Sequence, residues 1–186
     1  GSGKTIVAAF AALQAIENGY QAALMAPTEI LTEQHYRKLC VLLEPLGVQV
    51  VWLTGSMKAK EKSEYKQIVM NGSAQLVIGT HALFQEDVAF KKLGLVIIDE
   101  QHRFGVEQRL ALRMKGASVG EPHQLMMTAT PIPRTLSMSY YADLDISVID
   151  ELPPGRTPIV TRLIADARRD EVIDRVRKAC EKGAQA

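Results

Sequence analysis

Cysteine is scarce in this sequence. Two occur among 186 residues, Cys40 and Cys180, far apart and in no metal-ligand spacing. A disulfide scaffold is therefore excluded, and a reducing interior is the expected setting. Long hydrophobic runs are missing too: none approaches the ~18 residues that a membrane-spanning helix needs. Charge of one sign is also absent, because 22 basic residues stand against 21 acidic ones for a net charge of +1. Any grip on DNA or RNA must then come from a local patch and not from bulk charge. The four histidines form neither an H-E-x-x-H motif nor a Cys/His pairing, which argues against zinc, and His35 and His123 read as surface or structural positions. No G-x-S-x-G elbow occurs, so acyl transfer has no support. What remains, 47% hydrophobic and 23% charged residues, is the composition of an ordinary globular chain.

The chain alternates helix and strand. Residues 4–18 form an Ala- and Leu-rich helix that stops at Gly19, and Ala22–Ala26 read as a buried strand. An amphipathic helix follows over 28–44, with Thr28 as its N-cap and Pro45 and Gly47 closing it. Val48–Leu53 is β-branched and strand-like, and 58–70 is a charged helix ended by Asn71-Gly72. Its lysines are interleaved with Glu61 and Glu64, so this helix reads as a solvated face. Gln75–Ile78, Leu95–Ile98 and Gln124–Met127 are apolar without alternation, the mark of strands buried on both faces of a parallel sheet. Helices are expected at about 105–115 and 133–142. The pattern predicts an α/β doubly wound domain with a mostly parallel sheet and helices on both faces. A Pro- and Gly-rich break at Glu151–Arg156 divides a domain over 1–150 from a remainder over 151–186. That remainder is expected to hold a strand at about 158–164 and a helix at about 168–182. The helix carries an apolar stripe of Val172, Val176 and Cys180, so a second domain is expected to begin here.

The polar residues carry the functional signal. Each buried strand ends in a polar cluster: Thr80-His81, Asp99-Glu100-Gln101-His102 and Thr128-Ala129-Thr130. In a parallel sheet the carboxyl ends share one edge, and ligands bind in the crevice outside it. At the amino end, Gly1-Ser2-Gly3-Lys4-Thr5 opens into a helix and matches the last five positions of the phosphate-binding loop G-x-x-x-x-G-K-[ST]. The sequence is accordingly expected to be a piece of a longer protein. Such a loop needs glycines so that backbone N–H groups can face phosphates. It needs Lys4 as a point charge on the terminal phosphates, Thr5 as a Mg²⁺ ligand, and the positive end of the helix dipole. A strand-end Asp99 that holds Mg²⁺ and a Glu100 that deprotonates water complete the arrangement.

These residues resemble the ordered motifs of the superfamily-two helicases. The resemblance rests on Gly3-Lys4-Thr5, Ala26-Pro27-Thr28-Glu29, Gly79-Thr80-His81, Asp99-Glu100-Gln101-His102 and Thr128-Ala129-Thr130. The longer strings Asp99–Gly105, Thr128–Leu136 and Asp150–Pro158 are similar to one bacterial branch, ATP-driven motors that remodel branched DNA. A related motor, the transcription-repair coupling factor, carries DEEH where this chain has Gln101. A helicase-like lobe that grips DNA without hydrolysing nucleotide is a further alternative.

The resemblance implies a RecA-like first motor lobe over 1–150, with the linker and start of a second lobe over 151–186. It implies ATP and Mg²⁺ bound at Gly1, Ser2, Gly3, Lys4, Thr5 and Asp99, with Glu100 as the general base. Gln101, His102, Thr128 and Thr130 would couple hydrolysis to lobe movement. Pro27, Thr28, Glu29, Gly79, Thr80 and His81 would lie along the DNA backbone, with Gly55 a weaker candidate. Arg103, Arg109, Arg113 and Lys115 read first as a solvated helix face, with a DNA patch as the alternative. The expected protein is a monomeric helicase of the bacterial cytoplasm, acting on forks and Holliday junctions.

Overall fold

The computed structural model describes residues 3–84, 88–100, 120–129, 145–149 and 161–184. The chain divides into two units, 1–150 and 151–186. In the first unit, helix α1 (Lys4–Glu17) leads into strand β1 (Gln21–Met25), then α2 (Glu29–Leu43), β2 (Val50–Leu53) and α3 (Ala59–Asn71). Strands β3 (Leu76–Gly79), β4 (Leu93–Asp99) and β5 (His123–Met127) follow. Each strand lies within two residues of its expected bounds.

The five strands form one sheet in the order β2-β3-β1-β4-β5, and every pairing is parallel. Successive side chains of a strand point to opposite faces, and both faces are covered. Ala22, Leu24, Ile78, Leu95 and Ile97 pack with Ala8, Ala12, Leu39 and Leu43 of α1 and α2. Ala23, Met25, Val77, Val96 and Ile98 pack on the other side with Val69 of α3 and with Leu83 and Phe90. Two-sided burial explains why these strands show no polar alternation.

The ends of the elements follow local chemistry. Thr28 Oγ1 accepts the Leu31 N–H at 3.3 Å and caps α2. Gly72 closes α3 in the left-handed region at φ +83°. At the amino edge, Gln21 is 4% exposed. Its amide donates to the carbonyls of Val69 (2.9 Å) and Ala74 (2.7 Å), and its Oε1 accepts the Lys92 N–H at 3.0 Å. One buried side chain therefore ties the end of α3 and the entries to β3 and β4 into the sheet.

In the second unit, helix α4 (Arg169–Glu181) lies close to its expected span. None of its residues is buried, and ion pairs such as Lys178–Asp174 (2.7 Å) decorate it. The expected strand at about 158–164 is not borne out for the part described: residues 161–165 belong to no strand. Apolar, β-branched residues form a strand only where a ladder partner satisfies their backbone, and residues 161–165 pair with nothing among the described residues. Residues 158–160, and the helices expected at 105–115 and 133–142, lie outside the described residues.

Candidate nucleotide and nucleic-acid site

All five strands end at one edge. Met25 is level with Gly79 and Ile98, Leu53 with Gly79, and Asp99 with Met127. The described strand-end candidates therefore share one edge of the sheet, and the strand order sorts them. The ends of β2, β3 and β1 are neighbours and carry Gly55, Gly79-Thr80-His81 and Pro27-Thr28-Glu29. The ends of β4 and β5 are neighbours and carry Asp99-Glu100 and Thr128. Gly1, Ser2, Gln101, His102 and Thr130, like Arg103, Arg109, Arg113 and Lys115, lie outside the described residues.

Gly3 stands at φ +89° immediately before α1, and its carbonyl accepts the Ile6 N–H at 2.9 Å. Lys4 and Thr5 are the first two residues of the helix, and both are half-buried. The helix N-terminus favours an anion at this place. Asp99 ends β4 half-buried. Burial pushes its carboxyl up, but it is outweighed. The hydrogen bond and charge of His35, the Glu100 backbone N–H and the Lys4 ammonium together hold it below the ordinary aspartate value. Asp99 is therefore ionised near neutral pH, and Lys4 is near enough to help make it so.

Two features escaped the sequence. His35 Nε2 meets Asp99 Oδ2 at 2.7 Å, so His35 stands inside the site. A histidine in the second turn of an amphipathic helix carries no local signal that it reaches a strand 64 residues on. The other is Glu100, whose φ of +54° makes it the one non-glycine residue in the left-handed region among those described. That conformation costs an L-residue about 1–2 kcal/mol, and Asp99 Oδ1 accepts the Glu100 N–H there at 3.0 Å.

On the nucleic-acid side the candidates divide. Thr28, Glu29, Gly55 and His81 are exposed and Pro27 is half-buried, whereas Gly79 and Thr80 are buried. A Cβ on Gly79 would lie 2.5 Å from the Leu53 carbonyl oxygen, so close strand packing accounts for this glycine. Glu29 is engaged within the protein: its carboxylate accepts Ser56 Oγ–H at 2.9 Å and the Ser56 N–H at 3.3 Å. It fastens the turn after β2 to the start of α2. The described residues also line a depression of 540 Å³ that includes Gln14, Tyr20 and His123, but it opens at the amino ends of β4 and β5, away from these groups.

A five-stranded parallel sheet with helices on both faces, a lysine-headed helix and a strand-end Asp-Glu pair has the fold of a RecA-like helicase lobe. The chain belongs to the DEAD/DEAH box helicase family, whose model matches residues 1–139. Among curated proteins it is similar to the ATP-dependent DNA helicase RecG. It is 61% identical to that of Escherichia coli O157:H7 over 100% of this chain and 27% of the relative. It is 61% identical to that of Haemophilus influenzae over 97% and 26%, and 52% identical to that of Aquifex aeolicus over 98% and 23%. The chain thus spans about a quarter of the length of these relatives. The solved structure of RecG bound to a three-way DNA junction matches with a TM-score of 0.83 and 47% identity, over 100% of this chain and 24% of that one. The yeast DEAD-box splicing factor Prp28 shares the fold alone, with a TM-score of 0.59 and 18% identity over 76% of this chain and 37% of that one. No helix among the described residues is long and apolar enough to cross a membrane.

Proposed function

We propose that this lobe binds ATP with Mg²⁺ at the β4–β5 half of the sheet edge and DNA at the β2–β3–β1 half. Hydrolysis at the first would drive movement along the second, in a bacterial helicase that remodels branched DNA. The observation that carries the reading is the ionised Asp99 within electrostatic reach of Lys4, on the edge where the DNA-side loops also end. The names of the RecG relatives and the three-way junction bound by one of them support the substrate class. The transcription-repair alternative gains nothing from these relatives.

The residues present suit magnesium. The described residues hold no cluster of three or more His, Cys, Asp or Glu side chains able to cage a metal, and Mg²⁺ needs none. It takes one or two protein ligands and fills its octahedron with phosphate oxygens and water. Thr5 and Asp99 would hold it, and when bound it would neutralise charge on the phosphates. Gly1, Ser2, Gly3 and the α1 N-terminus would cradle the phosphates, with Lys4 on the terminal ones. Glu100 would take a proton from the attacking water. Gln101, His102, Thr128 and Thr130 would relay the state of the terminal phosphate to the neighbouring lobe, whose start we assign to 151–186.

On the DNA side, Thr28 uses an oxygen lone pair for its cap, which leaves the hydroxyl hydrogen able to donate to a phosphate. His81 and the α2 amino terminus would add to that grip, and Pro27, Glu29, Gly79 and Thr80 would shape it. Such contacts position a strand without reading its sequence. The same reading makes the protein a monomer of the bacterial cytoplasm. The test is Lys4→Ala in a full-length helicase carrying this lobe. ATP binding and DNA-stimulated turnover should be lost while junction DNA still binds, and retained turnover would refute the proposal.

A further inference from the structure

One buried polar contact at the site has no part in the mechanism above. His35 is 8% exposed, and its Nε2 lies 2.7 Å from Asp99 Oδ2. An ionised carboxylate only accepts hydrogen bonds, so Nε2 carries the hydrogen and donates it. The other ring nitrogen, Nδ1, is buried without a hydrogen-bond partner among the described residues. Among the described residues the ring thus makes one polar contact, and that contact is Asp99.

The element that delivers the ring is held on several sides. Leu39 and Leu43 anchor α2 in the core, and Thr28 caps it. Thr32, one turn before His35, accepts the Trp52 Nε1–H at 2.9 Å. The carboxylate is gripped at both oxygens, Oδ2 by His35 and Oδ1 by the Glu100 N–H. Each oxygen keeps a further lone pair.

We propose that His35 is the positioning residue for Asp99: it fixes the rotation of the carboxylate so that the remaining lone pairs are presented to the magnesium–nucleotide complex. The inference rests on the reading of Asp99 as a metal ligand. Groups that orient a metal ligand through a second hydrogen bond typically alter metal affinity by about 10–100-fold when removed.

The test needs no turnover. In a full-length helicase carrying this lobe, a fluorescent non-hydrolysable ATP analogue is titrated with and without Mg²⁺. His35→Leu should raise the Mg²⁺ concentration for half-maximal tight binding about tenfold and leave the affinity in EDTA unchanged. His35→Gln, whose amide nitrogen can reach the place of Nε2, should restore most of the wild-type response. His35→Asn is too short to do so and should behave like leucine; if the leucine variant does not fold, the Gln–Asn pair decides. Wild-type Mg²⁺ dependence in a folded His35→Leu protein, or equal behaviour of Gln and Asn, would overturn the proposal. Asp99→Asn separates the two levels of the argument. If it also keeps the wild-type Mg²⁺ response, Asp99 is no metal ligand and the nucleotide-site assignment itself fails. If it loses that response while His35→Leu does not, the positioning role alone fails.

Discussion

Glu100 sits at φ +54°, where glycine is comfortable and other residues are strained. Backbone strain of this kind concentrates at functional sites, and here it falls on the proposed base. The strain is separable from the carboxylate. Glu100→Ala and Glu100→Gly both remove the acid, but only glycine relieves the backbone. We expect the glycine variant to be the more stable of the two by about 1 kcal/mol, the reverse of the usual order; denaturant melts of the pair would show it. Cys40 gives a pH prediction. Burial, followed by the Glu44 carboxylate, pushes its thiol up to about 11. The reactive thiolate is then about one part in a thousand at pH 8, so alkylation at Cys40 should be slow and should accelerate as pH rises towards 11. The exposed Cys180 is the internal comparison, and rapid labelling of Cys40 at pH 8 would contradict the burial argument. At this scale the roles proposed for Lys4, Asp99 and Glu100 come from the sequence, because a phosphate-loop pattern and a strand-end acidic pair are written in residue order; the structure adds that Lys4 opens α1 and that Asp99 ends β4. His35 was not legible. The role proposed for it depends on a contact across 64 residues, which only the tertiary fold creates.

Helix α2 joins the two halves of the site. Its cap, Thr28, lies at the end of the edge proposed for DNA, Glu29 holds Ser56, and His35 holds Asp99. Thr28→Ala should cost about 1 kcal/mol through loss of the cap, and it should weaken DNA binding alike for all sequences, as a phosphate contact does. Thermal melts and binding to unrelated duplexes would check both effects. The strands were legible because two-sided burial removes polar alternation, and the cap because Thr-Glu precedes an amphipathic run. Gln21 was not, since a polar residue at a strand's start reads as loop. Yet it satisfies two carbonyls and one N–H in the core. Gln21→Leu should destabilise the lobe by about 2–6 kcal/mol, because the Ala74 carbonyl and the Lys92 N–H lose the partner that Gln21 gives them, at about 1–3 kcal/mol each, while the Val69 carbonyl keeps the Gly72 N–H; chemical denaturation would measure it. The strand expected near 158–164 is not borne out over 161–164, because β-branched composition records a preference for strand and no partner for residues 161–165 stands among the described residues.

Across the whole molecule, strand order does what no single motif can. It sets the loops after β2, β3 and β1 side by side and gives the other half of the edge to Asp99, Glu100 and Thr128. Topology of this kind lies beyond local sequence pattern, although the shared edge of a parallel sheet follows once the strands are recognised. The chain matches about a quarter of each RecG relative, so the lobe should work as one part of a larger motor.

In the function proposed above, Glu100 activates water beside a nucleotide held by Lys4 and Asp99. The most direct test of that step is DNA-stimulated ATP turnover, with nucleotide binding measured in parallel, for Glu100→Gln in a full-length helicase carrying this lobe. The account predicts that magnesium–nucleotide still binds while turnover falls by about 10²–10⁴-fold, the usual contribution of a positioned base. Near-normal turnover in that variant would contradict it.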